Sequence, residues 1–377
     1  MAEPETMEGS AEAPGEAQRR FPCAQCGAKL EFAPGADALV CPYCNASNTI
    51  PVAPTELEER DFAGELERLK HARPEDATPV VKCGACAAEV TRPAGASAFS
   101  CPFCGTNIVA QETCPARVRP DGVLPFRVPR QKAEDSYRAW IRSRWFAPNA
   151  IKTQAFLNEQ FKGVYLPAWT FDARARTWYT GQRGDYYYVM VPRTRTVNGR
   201  STVVMVRERR TRWRPASGVV DNAFDDVLVP ACRSLPEKKQ RALEPWDLKE
   251  AEPYRDEFLA GFTAQVYQVG LGDGFAIART EMEERIAATV RADIGGDEQR
   301  IIEMKPQYRD VTFKHLLLPV WISAYRYSGK LFHCFVNART GEVVGERPYS
   351  FWKIFFLVVA ILCAVAVVVL LARTQGR

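Results

Sequence analysis

The stretch CAQCGAKLEFAPGADALVCPYC, residues 23–44, carries two CxxC pairs with fourteen residues between them. The stretch CGACAAEVTRPAGASAFSCPFC, residues 83–104, repeats this spacing sixty residues further along the chain. Zn²⁺ prefers four thiolates in a tetrahedron, and two CxxC turns facing each other across a hairpin supply such a set. The spacing therefore predicts two four-cysteine zinc ribbons, at residues 21–53 and 80–113, each with one zinc ion. The predicted ligands are Cys23, Cys26, Cys41, Cys44, Cys83, Cys86, Cys101 and Cys104.

Disulfides are the alternative use of these eight cysteines, and they would require an oxidising compartment. The sequence starts Met1-Ala2-Glu3-Pro4-Glu5 and shows neither the basic nor the apolar region of a signal peptide. Reduced thiols, zinc binding and a cytoplasmic location for the N-terminal bulk of the chain are therefore favoured. The remaining cysteines have no second pair nearby and are predicted to be structural or incidental. They are Cys114, Cys232, Cys334 and Cys363.

The C-terminal stretch IFFLVVAILCAVAVVVLLA, residues 354–372, contains no charged residue, proline or glycine. At about 1.5 Å rise per residue it would form a helix of roughly 28 Å, close to the thickness of the bilayer hydrocarbon. A buried core helix is the alternative. The stretch predicts a transmembrane helix at residues 350–372 with a short tail at 373–377. The expected topology is single-pass and tail-anchored in the inner membrane.

The rest of the 377-residue chain is mildly basic, with a net charge of +5 and 46% hydrophobic residues. Residues 1–20 lack apolar periodicity and are predicted to be disordered. Residues 54–79 are predicted to be a charged linker with a short helix. Residues 114–349 are predicted to form an α+β domain with antiparallel hairpins, one turning at Asn198-Gly199. The expected fold class is therefore multidomain, with two small zinc ribbons, this α+β domain and one transmembrane helix.

Two further patterns in the predicted α+β domain bear on its architecture. The apolar residues Met282, Ile286 and Val290 recur at helical spacing within residues 275–294, which predicts a helix with one buried face. The tetrapeptide LPAW at residues 166–169 is echoed by LPVW at residues 318–321. Each opens a strand-like stretch that is predicted to end at a glycine turn, Gly181 in the first case and Gly329 in the second. The echo indicates two related β-units.

The hairpin of residues 186–213 is rich in arginine, and alternation along a strand places some of these side chains on a common face. Three interpretations remain open for it. The arginines could bind nucleic-acid phosphates, could lie against anionic lipid, or could form a solvated face balanced by nearby carboxylates. Those carboxylates are Asp221, Asp225 and Asp226. The candidate contacts to an anionic surface are Arg193, Arg195, Arg207, Arg209, Arg210 and Arg212.

Motifs for enzymatic chemistry are weak in this sequence. It contains no GxxxxGK[ST] phosphate loop, and VGLGDGF at residues 269–275 is only a fragment of a dinucleotide motif. His333 and Cys334 are neighbours in a predicted strand, where successive side chains point to opposite faces, so they cannot act as a base and nucleophile. The chain is predicted not to be an enzyme.

Two segments carry a resemblance to a known group of proteins. Together with the ribbons, FKGVYLPAWTFDARARTWYTGQRGDYYY (161–188) and LLLPVWISAYRYSGKLFHCFVNARTGEVVGERPYS (316–350) resemble bacterial TFIIB-type zinc-ribbon-containing membrane proteins. Some members carry the name of primosomal protein N′ (replication factor Y), and others are associated with phage-shock-like envelope stress systems. The resemblance covers most of residues 20–350. It implies a membrane-tethered docking protein, with the eight ribbon cysteines as zinc ligands and no catalytic residue.

These observations predict a membrane-anchored, cytoplasm-facing adaptor that docks a protein partner at the inner membrane. The resemblance implies a role in envelope stress. The alternative is a membrane-tethered nucleic-acid-binding protein that uses the zinc ribbons and the arginine-rich hairpin. The two functions differ in their salt dependence, because phosphate contacts weaken steeply as salt rises and an apolar protein interface does not.

Overall fold

The computed structural model describes residues 21–36, 38–50, 57–71, 80–83, 88–91, 98–103, 106–109, 112–113, 118–153, 161–197 and 200–375. The predicted disordered segment at residues 1–20 and the predicted turn at Asn198-Gly199 lie outside the described residues. So do parts of the predicted linker and of the second predicted ribbon.

Short strands and helices surround three long strands. The strands are β1 (Glu31–Ala33), β2 (Ala38–Val40), β3 (Ser47–Thr49), β4 (Arg60–Asp61), β5 (Val80–Lys82), β6 (Glu89–Thr91), β7 (Ala98–Ser100), β8 (Asn107–Val109), β9 (Glu112–Thr113), β10 (Gly122–Val123), β11 (Lys162–Val197), β12 (Arg200–Pro230), β13 (Glu252–Pro253), β14 (Thr263–Ala264), β15 (Glu298–Tyr327), β16 (Lys330–Asn337) and β17 (Val343–Gly345). The helices are α1 (Phe62–Lys70), α2 (Arg130–Ser143), α3 (Asn149–Thr153), α4 (Glu237–Arg241), α5 (Leu271–Ile294) and α6 (Phe351–Gln375), with 3₁₀ turns at Leu248–Glu250 and Asp256–Leu259.

The three long strands are neighbours in the main sheet. β11 has 36 residues, β12 has 31 and β15 has 30. β11 lies in the middle and pairs antiparallel with both neighbours, and the strand order continues as β12-β11-β15-β10-β13. Tyrosine, valine and threonine make up most of residues 185–197 of β11, and these residue types favour extended backbone. The two echoed segments lie side by side, because Leu166 is the cross-strand partner of Leu318.

β11 continues through the glycine at which the sequence predicts a turn. Gly181 lies inside the strand, next to an irregularity in the pairing with β15. A Cβ atom at Gly181 would lie 2.5 Å from the backbone oxygen of Arg300, so glycine is needed there for close approach of two strands. The pairing of β11 with β15 extends as far as Gly184 of β11, which lies opposite Glu298, the first residue of β15. Beyond this point, β11 and β12 continue as a two-stranded ribbon.

The part of the sheet around residues 164–166 of β11 has apolar side chains on both faces. Tyr165 packs in one hydrophobic cluster, whereas its neighbours Val164 and Leu166 pack in another. Consecutive strand residues point to opposite faces, so the two clusters lie on opposite sides of the sheet. The first cluster contains Leu30, Phe32 and Leu39 of the first ribbon, with α2 and α3. The second contains residues of the second ribbon, including Val81 and Val90.

Helix α5 covers the middle of the sheet. The predicted apolar stripe is confirmed, because Met282, Ile286 and Val290 are fully buried in one cluster with Trp169 and Phe313. The indole nitrogen of Trp169 donates a hydrogen bond of 2.9 Å to the carbonyl of Val269, just before the helix. α1 adds Phe62, Leu66 and Leu69 to the same cluster.

The predicted fold class is wrong at the C-terminus. α6 follows the sheet. Among the described residues, no helix meets the length and hydrophobicity needed to span a membrane. The predicted transmembrane helix, single-pass topology, membrane partner and inner-membrane location are therefore corrected. The described fold is mostly β-sheet, with the ribbons packed against it.

Candidate metal centre

The first ribbon (residues 21–50) is built on a small sheet of order β1-β2-β3. Each CxxC pair sits in a tight turn closed by backbone hydrogen bonds. The amide of Cys23 donates to the carbonyl of Ala28 at 2.7 Å, and that of Cys41 donates to Ala46 at 2.9 Å. Asn45 takes a left-handed φ of 57°, a conformation that asparagine tolerates better than most residues. The two turns lie at the same end of the small sheet and bring the four sulfurs together.

The four sulfurs of this ribbon form a compact cluster. Cys23 Sγ lies 3.4 Å from Cys44 Sγ, and Cys26 Sγ lies 3.5 Å from Cys41 Sγ. All four sulfurs lie within 4.8 Å of one another. A tetrahedron with Zn–S bonds of about 2.3 Å has edges of about 3.8 Å, so small shifts would accommodate zinc. The cluster could therefore hold a metal ion, and soft thiolate donors select zinc over magnesium or calcium.

Backbone amides lower the pKa of two of these cysteines, Cys23 and Cys41, and so favour their thiolate forms. The amide of Cys44 donates to the Cys41 sulfur and holds the pKa of that thiol at about 6, well below its ordinary value. The amide of Ala46 lowers the pKa of Cys44, but the neighbouring Cys23 sulfur, burial and the other cysteine sulfurs raise it to about 12. Four thiolates at this separation repel one another unless a cation lies between them. The donor set therefore suits a doubly charged ion.

The second ribbon shares the local geometry of the first. The amide of Cys83 donates to the carbonyl of Ala88 at 2.8 Å, and that of Cys101 donates to Thr106 at 2.8 Å. These are the same bonds as in the first ribbon, displaced by sixty residues. Cys83 and Cys101 are fully buried, as Cys23 and Cys41 are. The other two predicted ligands, Cys86 and Cys104, lie outside the described residues, so only one complete cluster is seen.

A single segment contacts both ribbons. The amide of Phe32 in the first ribbon donates to the carbonyl of Ala260 at 2.9 Å. In the second ribbon, Val90 forms a β-bridge with Gln265, and the Glu89 carbonyl accepts from the amide of Val266 at 3.0 Å. Between these contacts β14 pairs with β11. Residues 260–266 therefore connect both ribbons to the main sheet.

The six candidate arginines lie on the two-stranded ribbon beyond Gly184. We call its described residues, 185–197 and 200–212, the arm. All six arginine side chains are exposed. In the register of the arm, Arg193, Arg195, Arg210 and Arg212 share one face, and Arg207 and Arg209 lie on the other.

Arginines of the arm stack on its tyrosines. The guanidinium carbon of Arg207 lies 3.7 Å from the ring centre of Tyr188, and that of Arg209 lies 4.2 Å from Tyr186. Such stacking holds a guanidinium group over the strand while its N–H groups stay available. Apolar side chains are also exposed along the arm. They are Met190 at 57%, Val203 at 65%, Val204 at 44%, Met205 at 52% and Val206 at 38% exposure.

The carboxylates that could balance the arm lie elsewhere. Asp221 is nearest to Arg176, at 3.9 Å, and Asp226 pairs with Lys314 at 2.9 Å. Arg176 precedes the start of the arm by nine residues on β11, which is about 30 Å of extended strand. Asp221 and Asp226 therefore do not neutralise the arginines of the arm.

Lys314 and its carboxylates form a cluster that the sequence analysis does not identify. The ammonium group lies 3.3 Å from Glu59 and 3.6 Å from Asp172, in addition to its pair with Asp226. Carboxylate oxygens of Glu59, Asp172 and Asp225 lie within 4.8 Å of one another. Burial raises the pKa of Asp172 to about 6. Lys314 supplies the positive charge of this cluster. Glu59 and Asp172 are over a hundred positions apart in the chain, so no local sequence motif marks the cluster.

Replacing Lys314 with methionine should lower the free energy of unfolding by about 3 kcal/mol at pH 8, because buried carboxylates lose their counter-ion. The loss should be smaller at pH 5. A carboxyl group with a raised pKa in the folded state is neutral below that pKa, and its unfavourable charge appears only as pH rises through it. Urea denaturation at both pH values measures the difference. Lys305→Met is the matched control, since Lys305 is 68% exposed. Equal losses in both variants would contradict the expectation.

Comparison with known proteins assigns neither a family nor a function to the chain. No protein-family model and no solved structure matches the chain. The chain is similar to the uncharacterized protein YdjG of Bacillus subtilis strain 168, with 23% identity over 245 residues. The aligned region covers 62% of this chain and 65% of that protein, which is less than two thirds of its length. This similarity places the chain in no family and carries no activity.

Proposed function

We propose that the chain is a non-enzymatic adaptor that docks a partner macromolecule on its arm, with two zinc ribbons bracing the sheet from opposite faces. Each ribbon holds one zinc ion in this proposal. The first ribbon has the complete cysteine cluster. The second ribbon is assigned an ion because its turns repeat the backbone hydrogen bonds of the first at both described cysteines, Cys83 and Cys101.

The ribbons support a bracing role because their apolar side chains face the sheet. Phe32 and Leu39 of the first ribbon are 3% and 5% exposed, and Val81 and Val90 of the second are 1% and 0% exposed. A ribbon that recruits partners through an apolar surface needs that surface free. Packing against the sheet therefore makes the ribbons supports of the scaffold.

The arm is the observation that carries the proposal. It continues past the third strand and past α5, which ends at Ile294, and side chains on both of its faces are exposed. Exposed apolar residues grouped on one element are typical of an interaction surface. A two-stranded ribbon in isolation is marginally stable in water, so contact with a partner would also stabilise it.

Photo-crosslinking in cells tests this proposal. A diazirine amino acid at Val203 on the arm should crosslink to a discrete macromolecule, whether protein or nucleic acid. The same amino acid at Glu284, an exposed position of α5, is the control and should give no such product. Absence of a product specific to Val203 would contradict the adaptor function.

A further inference from the structure

The adaptor function leaves the chemical class of the arm's partner to be determined. Resting on that proposed function, we propose that the arm binds duplex DNA, with both of its faces contacting phosphates inside a groove. Four properties of the arm support this: its charge, the distribution of that charge over two faces, its dimensions, and the identity of its exposed side chains.

The arm contains the whole net charge of the chain. Between positions 185 and 212 the sequence has seven arginines and two carboxylates, Asp185 and Glu208, which gives +5. The full 377-residue chain also has a net charge of +5, so the remainder is neutral. A concentrated positive charge on one element of a neutral scaffold is the electrostatic footprint of a polyanion-binding protein.

The internal ion pairs of the arm satisfy only part of this charge. Glu208 lies 3.5 Å from Arg193 and 3.3 Å from Arg210, so one carboxylate serves two arginines of the same face. On the other face, Arg207 and Arg209 stack on tyrosine rings, and stacking does not use the N–H groups of a guanidinium. Positive charge is therefore available on both faces.

A partner that pairs with both faces must surround the ribbon. A folded acidic protein presents a surface to one face and leaves the other in solvent. The two phosphate backbones that border a groove of duplex DNA face an inserted ribbon from both sides. A second copy of the chain is disfavoured as the occupant, because two arms of charge +5 would repel each other.

The dimensions of the arm fit this mode. A ribbon whose two faces meet the two phosphate backbones stands edge-on in the groove, so its thickness decides the fit. Side chains add about 5 Å on each face, since stacked sheets lie about 10 Å apart, and the resulting thickness of about 10 Å is within the about 12 Å width of the major groove. Residues 185–197 extend about 43 Å at about 3.3 Å per residue. Phosphates recur about every 3.4 Å of helix axis on each DNA strand, so an element of this length can contact several of them.

The exposed apolar side chains are also compatible with DNA. Met190, Val203 and Met205 share one face of the arm with Arg207 and Arg209. In a groove, apolar groups contact thymine methyl groups, and in other DNA complexes they insert between base steps. The interleaving of arginine with tyrosine adds stacking surfaces beside the phosphate contacts.

Binding of the full chain to a fluorescein-labelled 24-base-pair DNA duplex, followed by anisotropy between about 50 and 300 mM KCl, tests the proposal. We expect a dissociation constant of about 10⁻⁶ M or tighter at about 100 mM KCl. With six phosphate contacts, the slope of log K against log salt should be about −5. The arm variant changes Arg207, Arg209, Arg210 and Arg212 to Gln, which should reduce the slope to about −2.

Three comparisons make the test specific. A control variant with the same loss of charge changes Arg130, Arg138, Arg174 and Arg176 to Gln, and it should keep the slope of the unaltered chain. The pairs Arg207→Gln with Arg209→Gln, and Arg210→Gln with Arg212→Gln, each remove contacts from one face only, and each should reduce the slope by about 2. Single-stranded DNA of the same length should bind at least about tenfold more weakly than the duplex, because it offers no groove.

Several outcomes would overturn the inference. Equal weakening by the arm and control variants would show that binding follows overall charge. An effect of only one pair of arginines would exclude contact through both faces, and equal affinity for single strands would exclude a groove. Absence of DNA binding together with a protein crosslinked at Val203 would overturn this inference and leave the adaptor function standing. Absence of both would remove the two proposals together.

Discussion

Replacing Cys41 with serine is expected to remove the zinc ion from the first ribbon and to unfold that ribbon. Cys41 is fully buried beside three other cysteine sulfurs, and a serine hydroxyl does not replace a thiolate ligand. Zinc binding supplies about 10–16 kcal/mol in zinc-finger peptides, more than a segment of this size gains from its apolar core. Elemental analysis should show zinc falling from about two ions per chain to about one.

The effect of this substitution should spread beyond the ribbon. Leu30 and Phe32 pack in one cluster with Phe126 and Phe258, so an unfolded ribbon exposes part of the core of the sheet. We expect a lower midpoint of thermal unfolding and faster proteolysis within residues 21–50. Cys363→Ser is the control, because Cys363 lies exposed on α6, outside both ribbons. Retention of the zinc or an unchanged midpoint would contradict a bracing role for the ribbon.

Replacing Trp169 with alanine is expected to cost about 4 kcal/mol of unfolding free energy. Trp169 is fully buried, and its ring lies 5.9 Å from that of Phe313 and 4.6 Å from that of His315. The substitution leaves a cavity between α5 and the sheet and leaves the Val269 carbonyl without its indole donor. Urea denaturation measures the loss.

Trp178→Ala is the matched control for this prediction. Trp178 lies on the same strand and is 39% exposed, so its replacement removes less buried surface and should cost about 1 kcal/mol or less. Similar losses for both tryptophans would show that α5 does not pack on Trp169 as described. A loss at Trp169 without a change in zinc content would separate this core from the metal centre.

The features that the sequence predicts correctly arise from local patterns. A CxxC turn brings two sulfurs together within four residues, so the cluster of the first ribbon is predictable from spacing. The buried stripe of α5 is predictable for a similar reason, because Met282, Ile286 and Val290 recur at the helical period. In both cases the residues that decide the structure are close in the chain.

The features that the sequence does not predict depend on distant contacts. Glycine is common in turns, and the sequence alone therefore predicts a turn at Gly181. The structure places Gly181 inside β11, where the backbone carbonyl of Arg300 on β15 lies too close for a larger residue. The carboxylates around Lys314 come from three separate segments. The C-terminal apolar stretch suggests a membrane span by composition alone, whereas the described residues contain no helix that meets the requirement.

The contact of residues 260–266 with both ribbons has a consequence for the order of folding. Each ribbon can close its own turns early, because its cysteines are at most 21 residues apart. The contacts of Phe32 with Ala260 and of Val90 with Gln265 join residues more than 150 positions apart, so they form only after residues 260–266 pair with β11. Closing such long loops is slow compared with forming local turns. During synthesis the turns of both ribbons would therefore form before these contacts, with part of the apolar surface of each ribbon exposed to a chaperone.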